Sequence, residues 1–169
     1  LDRLLNGQHD ANWIPNGYAD STKIMVFNNM YATQQSAVVV FNPAINSSGN
    51  YSNPGISAYM PSSLDWIYAN TGFYSNNISG ARRQPNGNTL ICEGSSGHLF
   101  EIDLVGNLVW DYINPVGLSG IVSQGSNISN NAVFKCFRYA PDFIGFSGKD
   151  MTASNPIELD PWPSTCVIY

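Results

Sequence analysis

The chain has 169 residues, which is enough for one domain with a sizeable core. Only 11% of the residues are charged, the net charge is -5, and the 7 basic residues are scattered, so a nucleic-acid-binding surface is not expected. No apolar run approaches the roughly 18 residues of a membrane helix. An abundance of Asn, Ser, Gly, Pro and Tyr is typical of a turn-rich β protein.

The first predicted unit begins with a polar lead-in segment over residues 1–12, which contains His9. A Pro-Asn-Gly turn at 15–17 separates this segment from the first of several apolar runs of strand length. The predicted strands of the unit span residues 23–28, 37–41 and 65–68. Polar loops at 29–36 and 42–63 connect them, and the second loop is long for a compact domain.

A second copy of the pattern follows at an offset of 70 residues, because Pro85-Asn86-Gly87 repeats Pro15-Asn16-Gly17. His9 then falls opposite Ser79. The predicted strands of the second copy span residues 89–93, 98–103 and 108–112. Gly-rich segments between them are hairpin-turn signals. A loop over 117–131 and a predicted strand over 132–139 begin a third unit.

A unit of four short strands is typical of a β-propeller blade. The sequence therefore predicts an all-β propeller, with consecutive blades over residues 1–139 and a tail over 140–169 that packs on a blade or completes one. At roughly 40–50 residues per blade the chain holds about three blades, fewer than the four to eight of a closed propeller. We expect either a C-terminal portion of a longer polypeptide or a ring that closes with other chains.

The innermost strand of a propeller blade faces the central channel, so His9 and Ser79 are expected to point toward one shared axis. His9 is the first candidate for a catalytic group, with a hydrogen-bonded structural histidine as the alternative. Ser79 is a candidate donor or positioning group, or it simply satisfies a turn.

The three cysteines are not arranged as a Cys-x-x-Cys pair, which makes a zinc or thioredoxin-like site a weak interpretation. Cys92 lies in an alternating strand and is predicted to be a small buried apolar residue. Cys136 and Cys166 could form a disulfide if the tail folds back, and the alternative leaves them unpaired. No metal site and no cofactor is predicted.

Several motifs together resemble the C-terminal half of the arylsulfotransferase family, in its secreted bacterial members. The similarity covers most of residues 5–115 and, more loosely, residues 131–158. The motifs that carry it are Gly7-Gln8-His9-Asp10-Ala11, Phe27-Asn28-Asn29, Ile78-Ser79-Gly80-Ala81, Pro85-Asn86-Gly87-Asn88-Thr89-Leu90 and Val109-Trp110-Asp111-Tyr112.

The resemblance implies a six-bladed propeller that is secreted, periplasmic or held at the cell surface. Its activity would be sulfuryl transfer from a phenolic sulfate ester to a phenol, without the nucleotide donor PAPS. His9 occupies the position of a channel histidine that is transiently sulfated in the family. The expected partners are a phenolic sulfate donor, a phenol acceptor and the remaining propeller blades.

Candidate substrate-binding residues under this resemblance are Ser79, Asn28 and Arg138. The family's usual Phe-Asp-Asn-Gly reads Phe27-Asn28-Asn29-Met30 here, and the partner histidines and arginine belong to earlier blades. Arg138 either binds sulfate or anchors the tail by hydrogen bonds. Asp10 is assigned a structural role, and His98 is not expected to be catalytic.

Two other classes of function stay open. A propeller with an inert channel could serve as a binding module for a glycan, a peptide or a surface protein, since fold does not fix function. A partial propeller could instead be a structural subunit of a surface assembly that pairs through exposed strand edges.

Overall fold

The computed structural model describes residues 4–51, 55 and 61–161 and shows an all-β protein built from two four-stranded antiparallel sheets. The first sheet contains, in spatial order, β1 (His9–Trp13), β2 (Ile24–Ala32), β3 (Gln35–Phe41) and β4 (Trp66–Tyr68). The second contains β5 (Gly80–Arg83), β6 (Thr89–Glu93), β7 (His98–Ile102) and β8 (Leu108–Ile113). A ribbon of β9 (Val116–Gly117) and β10 (Gly120–Ile121) follows. The predicted all-β class and the two four-stranded units are confirmed.

The two sheets repeat one another strand by strand. Trp13 ends β1 opposite Ile24, and Arg83 ends β5 opposite Thr89. Trp13 and Arg83 are 70 residues apart, which is the offset of the sequence repeat. Gly17 and Gly87 occupy the same place in the two Pro-Asn-Gly turns, at φ 87° and 92°. This left-handed backbone region favours glycine, which explains why both turns end in this residue.

The sheets pack face to face over an apolar core. Strand side chains alternate between faces, so every second residue of β2 and β3 points at the second sheet. Ten buried side chains form this core: Ile14, Met25, Phe27, Val38, Val40, Phe73, Ala81, Ile91, Phe100 and Ile102. Phe73 lies between Phe27 and Phe100, with ring centroids 5.4 and 5.7 Å apart and edge-on geometry.

The opposite face of the first sheet is also covered. Val26, Ala37 and Val39 form a second buried cluster, against which Leu5 and Leu64 pack. Because both faces of the sheet are buried, its central strands read as continuous apolar runs rather than as a strict alternation.

Two predicted elements were wrong. The polar loop over 29–36 is mostly strand, because β2 continues to Ala32 and β3 begins at Gln35. Residues 132–139 are not a strand. This segment joins the second sheet through two single backbone hydrogen bonds, from Val133 N to Gly94 O at 2.9 Å and from Ser79 N to Phe134 O at 3.0 Å. Among the described residues it has no neighbouring strand with which to form a ladder.

The tail is held by a short turn and by a long-range bridge to the segment that follows the second sheet. A 3₁₀ turn at Ile144–Phe146 is followed by an isolated bridge between Ser123 and Leu159. The strand-length piece predicted at Cys166–Tyr169 lies outside the described residues, and so does Cys166 as a disulfide partner. Within the described ranges, no helix is sufficiently long and apolar to cross a lipid bilayer.

Candidate functional site

His9 begins β1 at one end of the interface between the sheets. It pairs with Phe27 in β2, so its half-buried side chain lies on the face that looks toward the second sheet. A β-bulge follows at once, because the register shifts between His9 and Asn12 and Asp10 adopts φ 55°. Bulges re-aim side chains and are frequent next to functional sites.

Hydrogen bonds fix the tautomer of His9. Its Nδ1 lies 2.8 Å from Asn29 Oδ1 and 3.1 Å from Gly7 O. The Asn29 amide cannot be turned round, because its Nδ2 donates to Ser75 O at 2.8 Å and to Ile78 O at 3.0 Å. Both partners of Nδ1 are therefore acceptors, so in the neutral imidazole Nδ1 carries the proton and Nε2 the lone pair. Nε2 has no hydrogen-bond partner among the described residues.

A buried polar network holds Asn29 in place. The Ser36 hydroxyl donates to Asn29 O at 2.8 Å and accepts from Ser75 N at 3.0 Å. Ser79 Oγ lies 2.8 Å from Ser75 Oγ and accepts from Gly94 N at 2.9 Å. The four side chains of this network, Asn29, Ser36, Ser75 and Ser79, are at most 1% exposed. Fully satisfied buried networks are rigid, so the amide that faces His9 is preorganised.

The turn that receives the Asn29 amide has unusual backbone angles. Ile78 adopts φ 47° and Ser79 adopts φ 86°. A left-handed conformation is a genuine outlier for a β-branched residue such as isoleucine. Strained residues persist only where the surroundings over-determine them, and they cluster at functional sites. Here the strained turn directs the carbonyl of Ile78 at Asn29.

A charged cluster lies beside His9 along β1. Asp10 accepts two hydrogen bonds from the Arg82 guanidinium, at 2.6 and 2.7 Å, and Lys135 Nζ lies 3.6 Å from its Oδ1. Arg82 and Lys135 both approach the Phe137 ring, at 5.0 and 5.6 Å from its centroid. The cluster of Asp10, Arg82 and Lys135 carries two positive charges and one negative charge. Asp10 thus pairs with cations, in keeping with the structural role expected from the sequence.

The predicted substrate-binding residues are not brought together at one surface. Asn28 is fully buried, donating to Leu4 O at 2.9 Å and accepting from Asn6 N at 2.8 Å. Ser79 is buried in the network described above. Arg138 lies on the far face of the second sheet, where it pairs with Glu101 and lies over the Trp110 ring at 5.2 Å. Of these residues, only Ser79 connects to His9, through Ser75 and Asn29.

His98 has different surroundings from His9. Its Nδ1 lies 3.1 Å from Glu93 Oε2, and its Nε2 lies 2.6 Å from Asp111 Oδ1. The hydrogen bond with Glu93 raises the pKa of His98 most, burial opposes this, and Asp111 raises it further. Both ring nitrogens are thus engaged by carboxylates, which favours the charged imidazolium with no free lone pair.

The sequence missed several residues of this site. Asn29 lies next to Asn28, which was the predicted binding residue. Ser75 and Ile78 could not be recognised from the sequence, because they act through their backbone carbonyls and not through their side chains. Arg82 and Lys135 were seen only as scattered basic residues. Two surface cavities, of about 500 and 360 Å³, lie elsewhere and are not lined by His9. In the part of the chain that the structure describes, no three or more His, Cys, Asp or Glu side chains are grouped as a metal site.

Comparison of the chain with protein-family models, with curated proteins and with solved structures found no match.

Proposed function

We propose that His9 is the nucleophile of an aryl-sulfate sulfotransferase that acts through a sulfohistidine, independently of PAPS. The observation that carries this proposal is the fixed tautomer of His9. Asn29 Oδ1 holds the proton on Nδ1, so the lone pair of Nε2 is the only reactive electron pair of the ring. In covalent catalysis the reacting side chain is commonly oriented by a hydrogen bond from a neighbouring group.

The reaction proceeds in two steps. In the first, Nε2 of the imidazole ring attacks the sulfur of a phenolic sulfate ester. An N–S bond forms, the ester S–O bond breaks and a phenolate leaves. The ring becomes an N-sulfo imidazolium, whose remaining proton on Nδ1 is donated more strongly to Asn29 Oδ1. In the second, an acceptor phenol gives its proton to the released phenolate or to solvent, its oxygen attacks sulfur, the N–S bond breaks and neutral His9 is restored.

Electrostatics near His9 suit an anionic substrate. The surplus positive charge of Arg82 and Lys135 over Asp10 can attract the sulfuryl oxygens and the leaving phenolate. Ser79 and Asn28 act from the interior in this proposal. Ser79 supports the network under His9, and Asn28 fixes residues 4–6, which lead into β1.

The proposal includes a propeller in which the two stacked sheets are neighbouring blades. Two four-stranded sheets are fewer than the four to eight blades of a closed ring. The remaining blades, from the same precursor or from another chain, would then enclose the phenolic donor and acceptor over His9. A secreted, periplasmic or cell-surface location belongs to the same proposal.

Mass spectrometry after brief incubation with a chromogenic aryl sulfate tests the function. Trypsin separates the two histidines, because His9 lies on the peptide 4–23 and His98 on the peptide 84–135. Digestion at alkaline pH protects an N–S bond from acid. We expect phenol release and a sulfuryl adduct on the His9 peptide alone. No adduct and no released phenol, from protein that retains its fold, would overturn the proposal.

A binding module is the second candidate, favoured by an aromatic surface on the far face of the second sheet. Trp110 and Tyr112 stack with ring centroids 5.9 Å apart, and Trp110 also lines the 360 Å³ cavity with Tyr139 and Phe146. Partly exposed aromatic rings are typical anchors for planar or sugar ligands. Saturable binding of an oligosaccharide without turnover of aryl sulfates would favour this candidate.

A further inference from the structure

Two cysteines from distant parts of the chain meet on the far face of the second sheet. Cys92 lies in β6 opposite Leu99 of β7, is fully buried, and places Sγ 3.4 Å from Val133 O. Cys136 lines the 360 Å³ cavity together with Leu90 and Leu99, the neighbours of Cys92 on that face. Both thiols are free in this structure.

The backbone around the pair is already in place. Val133 N donates to Gly94 O, two residues after Cys92, and Ser79 N donates to Phe134 O, two residues before Cys136. Cysteines that are far apart cannot be bridged without backbone movement. Here the backbone bonds hold the segment that precedes Cys136 against β6, so no large backbone movement is needed to bring the two thiols together.

We propose that Cys92 and Cys136 form a disulfide by exchange with a small-molecule disulfide such as oxidised glutathione. The Cys136 thiolate attacks the reagent, forms a mixed disulfide and releases one glutathione thiolate. Cys92 then loses its proton and attacks Cys136 Sγ, which releases the second thiolate. Two protein S–H bonds and the reagent's S–S bond are replaced by one protein S–S bond and two glutathione thiols.

The surroundings assign the order of these steps. The hydrogen bond from Cys92 lowers the pKa of Cys136; burial and Asp10 oppose this, while Arg138 and Arg82 favour it. The same hydrogen bond, together with burial, raises the pKa of Cys92. Cys136 is also the more exposed of the two. Because the thiolate is the nucleophile, Cys136 reacts first and Cys92 resolves the mixed disulfide.

The cross-link would tether the segment over 132–138 to β6. That segment carries Lys135, whose Nζ lies 3.6 Å from Asp10 beside His9. Oxidation would therefore fix one of the two cations of the charged cluster. Formation of the disulfide needs no sulfate ester, so this proposal is tested independently of sulfuryl transfer.

Peptide mapping under non-reducing conditions tests the pairing. The protein is equilibrated in a glutathione redox buffer, free thiols are blocked with N-ethylmaleimide, and trypsin is added. Cleavage after Arg83, Lys135, Arg138 and Lys149 puts the three cysteines on separate peptides, 84–135, 136–138 and 150–169. We expect a linked pair of 84–135 with 136–138, and a blocked thiol on 150–169. A bond that includes Cys166, or blocking of all three thiols, would overturn the proposal.

Cysteine variants provide matched controls. Cys166→Ser should keep the cross-link, whereas Cys136→Ser should abolish it. The bond closes a loop of about 45 residues, for which chain-entropy estimates and the size scaling of Tm predict a rise of roughly 8–16 °C on oxidation. Oxidised Cys166→Ser should show this rise in full, and a Tm unchanged by oxidation in that variant would contradict the tether.

Discussion

The two histidines of the chain lie in sheets related by a repeat, yet their surroundings are opposite in charge. His9 has an amide oxygen and a carbonyl on Nδ1, and its neighbour Asp10 is paired with two cations. His98 has a carboxylate on each nitrogen. The first environment offers Nδ1 neutral acceptors and leaves Nε2 without a partner among the described residues, and the second stabilises a cation beside surplus negative charge.

The difference shows that hydrogen-bond partners, rather than residue type, decide what an imidazole can do. The amide partner of His9 fixes the tautomer of the neutral ring. The carboxylate partners of His98 occupy both nitrogens, so the same side chain becomes a bridge between β6 and β8. His9 therefore suits nucleophilic attack on an electron-poor centre, and His98 suits a structural ion pair.

The sharpest test of this contrast is to remove each ring in turn. His9→Gln should lower kcat for an aryl sulfate by roughly 10³-fold or more, as the loss of a nucleophile does. His98→Gln serves as the matched control and should retain most of the activity, because its ring bonds to Glu93 and Asp111 and stacks on Phe100, all within the second sheet. Steady-state release of a chromogenic phenol measures both variants. Equal losses in the two would contradict the assignment of His9.

Asn29 is the next largest test, because it separates the tautomer from the ring. Asn29→Ala should lower kcat by about 10–100-fold, as loss of an orienting partner does at comparable sites. The carbonyls of Ser75 and Ile78 lose their donor, which should cost about 1–3 kcal/mol of the free energy of unfolding. Imidazole ¹⁵N shifts should show His9 changing from one tautomer to a mixture.

Asn12→Ala is the matched control for Asn29. The Asn12 amide also bridges the two sheets, donating to Asp10 O, Met25 O and Ala81 O at 2.8–3.3 Å. Its loss should cost a similar free energy of unfolding while the ¹⁵N signature of His9 is retained. If Asn12→Ala lowers kcat as much as Asn29→Ala does, Asn29 acts through stability alone.

Much of the fold could be predicted from the sequence, and much less of the site. The repeated Pro-Asn-Gly turn and the apolar runs predicted six of the eight strands of the two sheets, because side-chain periodicity and turn residues are local signals. The prediction of a strand over 132–139 was wrong although the composition of the segment suits a strand, because the segment has no neighbouring strand among the described residues. His9 was found as a rare residue type, but its orientation depends on Ser75 and Ile78, more than 60 residues away.

The charge contrast predicts an effect on substrate affinity. Arg82→Gln removes one of the two cations beside Asp10, so KM for an anionic aryl sulfate should rise by about 3–10-fold, as expected for a partly exposed charge of about 1 kcal/mol. Arg138→Gln is the control, since it removes the same charge from a side chain that pairs with Glu101 rather than with Asp10. A rise in KM for both variants would point to net charge rather than to the cluster.

The smallest expected effect is the pH dependence of stability that His98 contributes. Glu93 and Asp111 raise the pKa of His98 in the folded state above its ordinary value of 6.5. A raised folded pKa stabilises the protein fully below the unfolded pKa, and this contribution disappears as the pH rises through the folded pKa. Because the pair is partly exposed, we expect less than about 1 kcal/mol. Urea unfolding below and above neutral pH measures it, and His98→Gln should flatten the difference. A wild-type protein that becomes more stable across the same rise in pH, relative to His98→Gln, would show that the carboxylates do not hold the imidazolium.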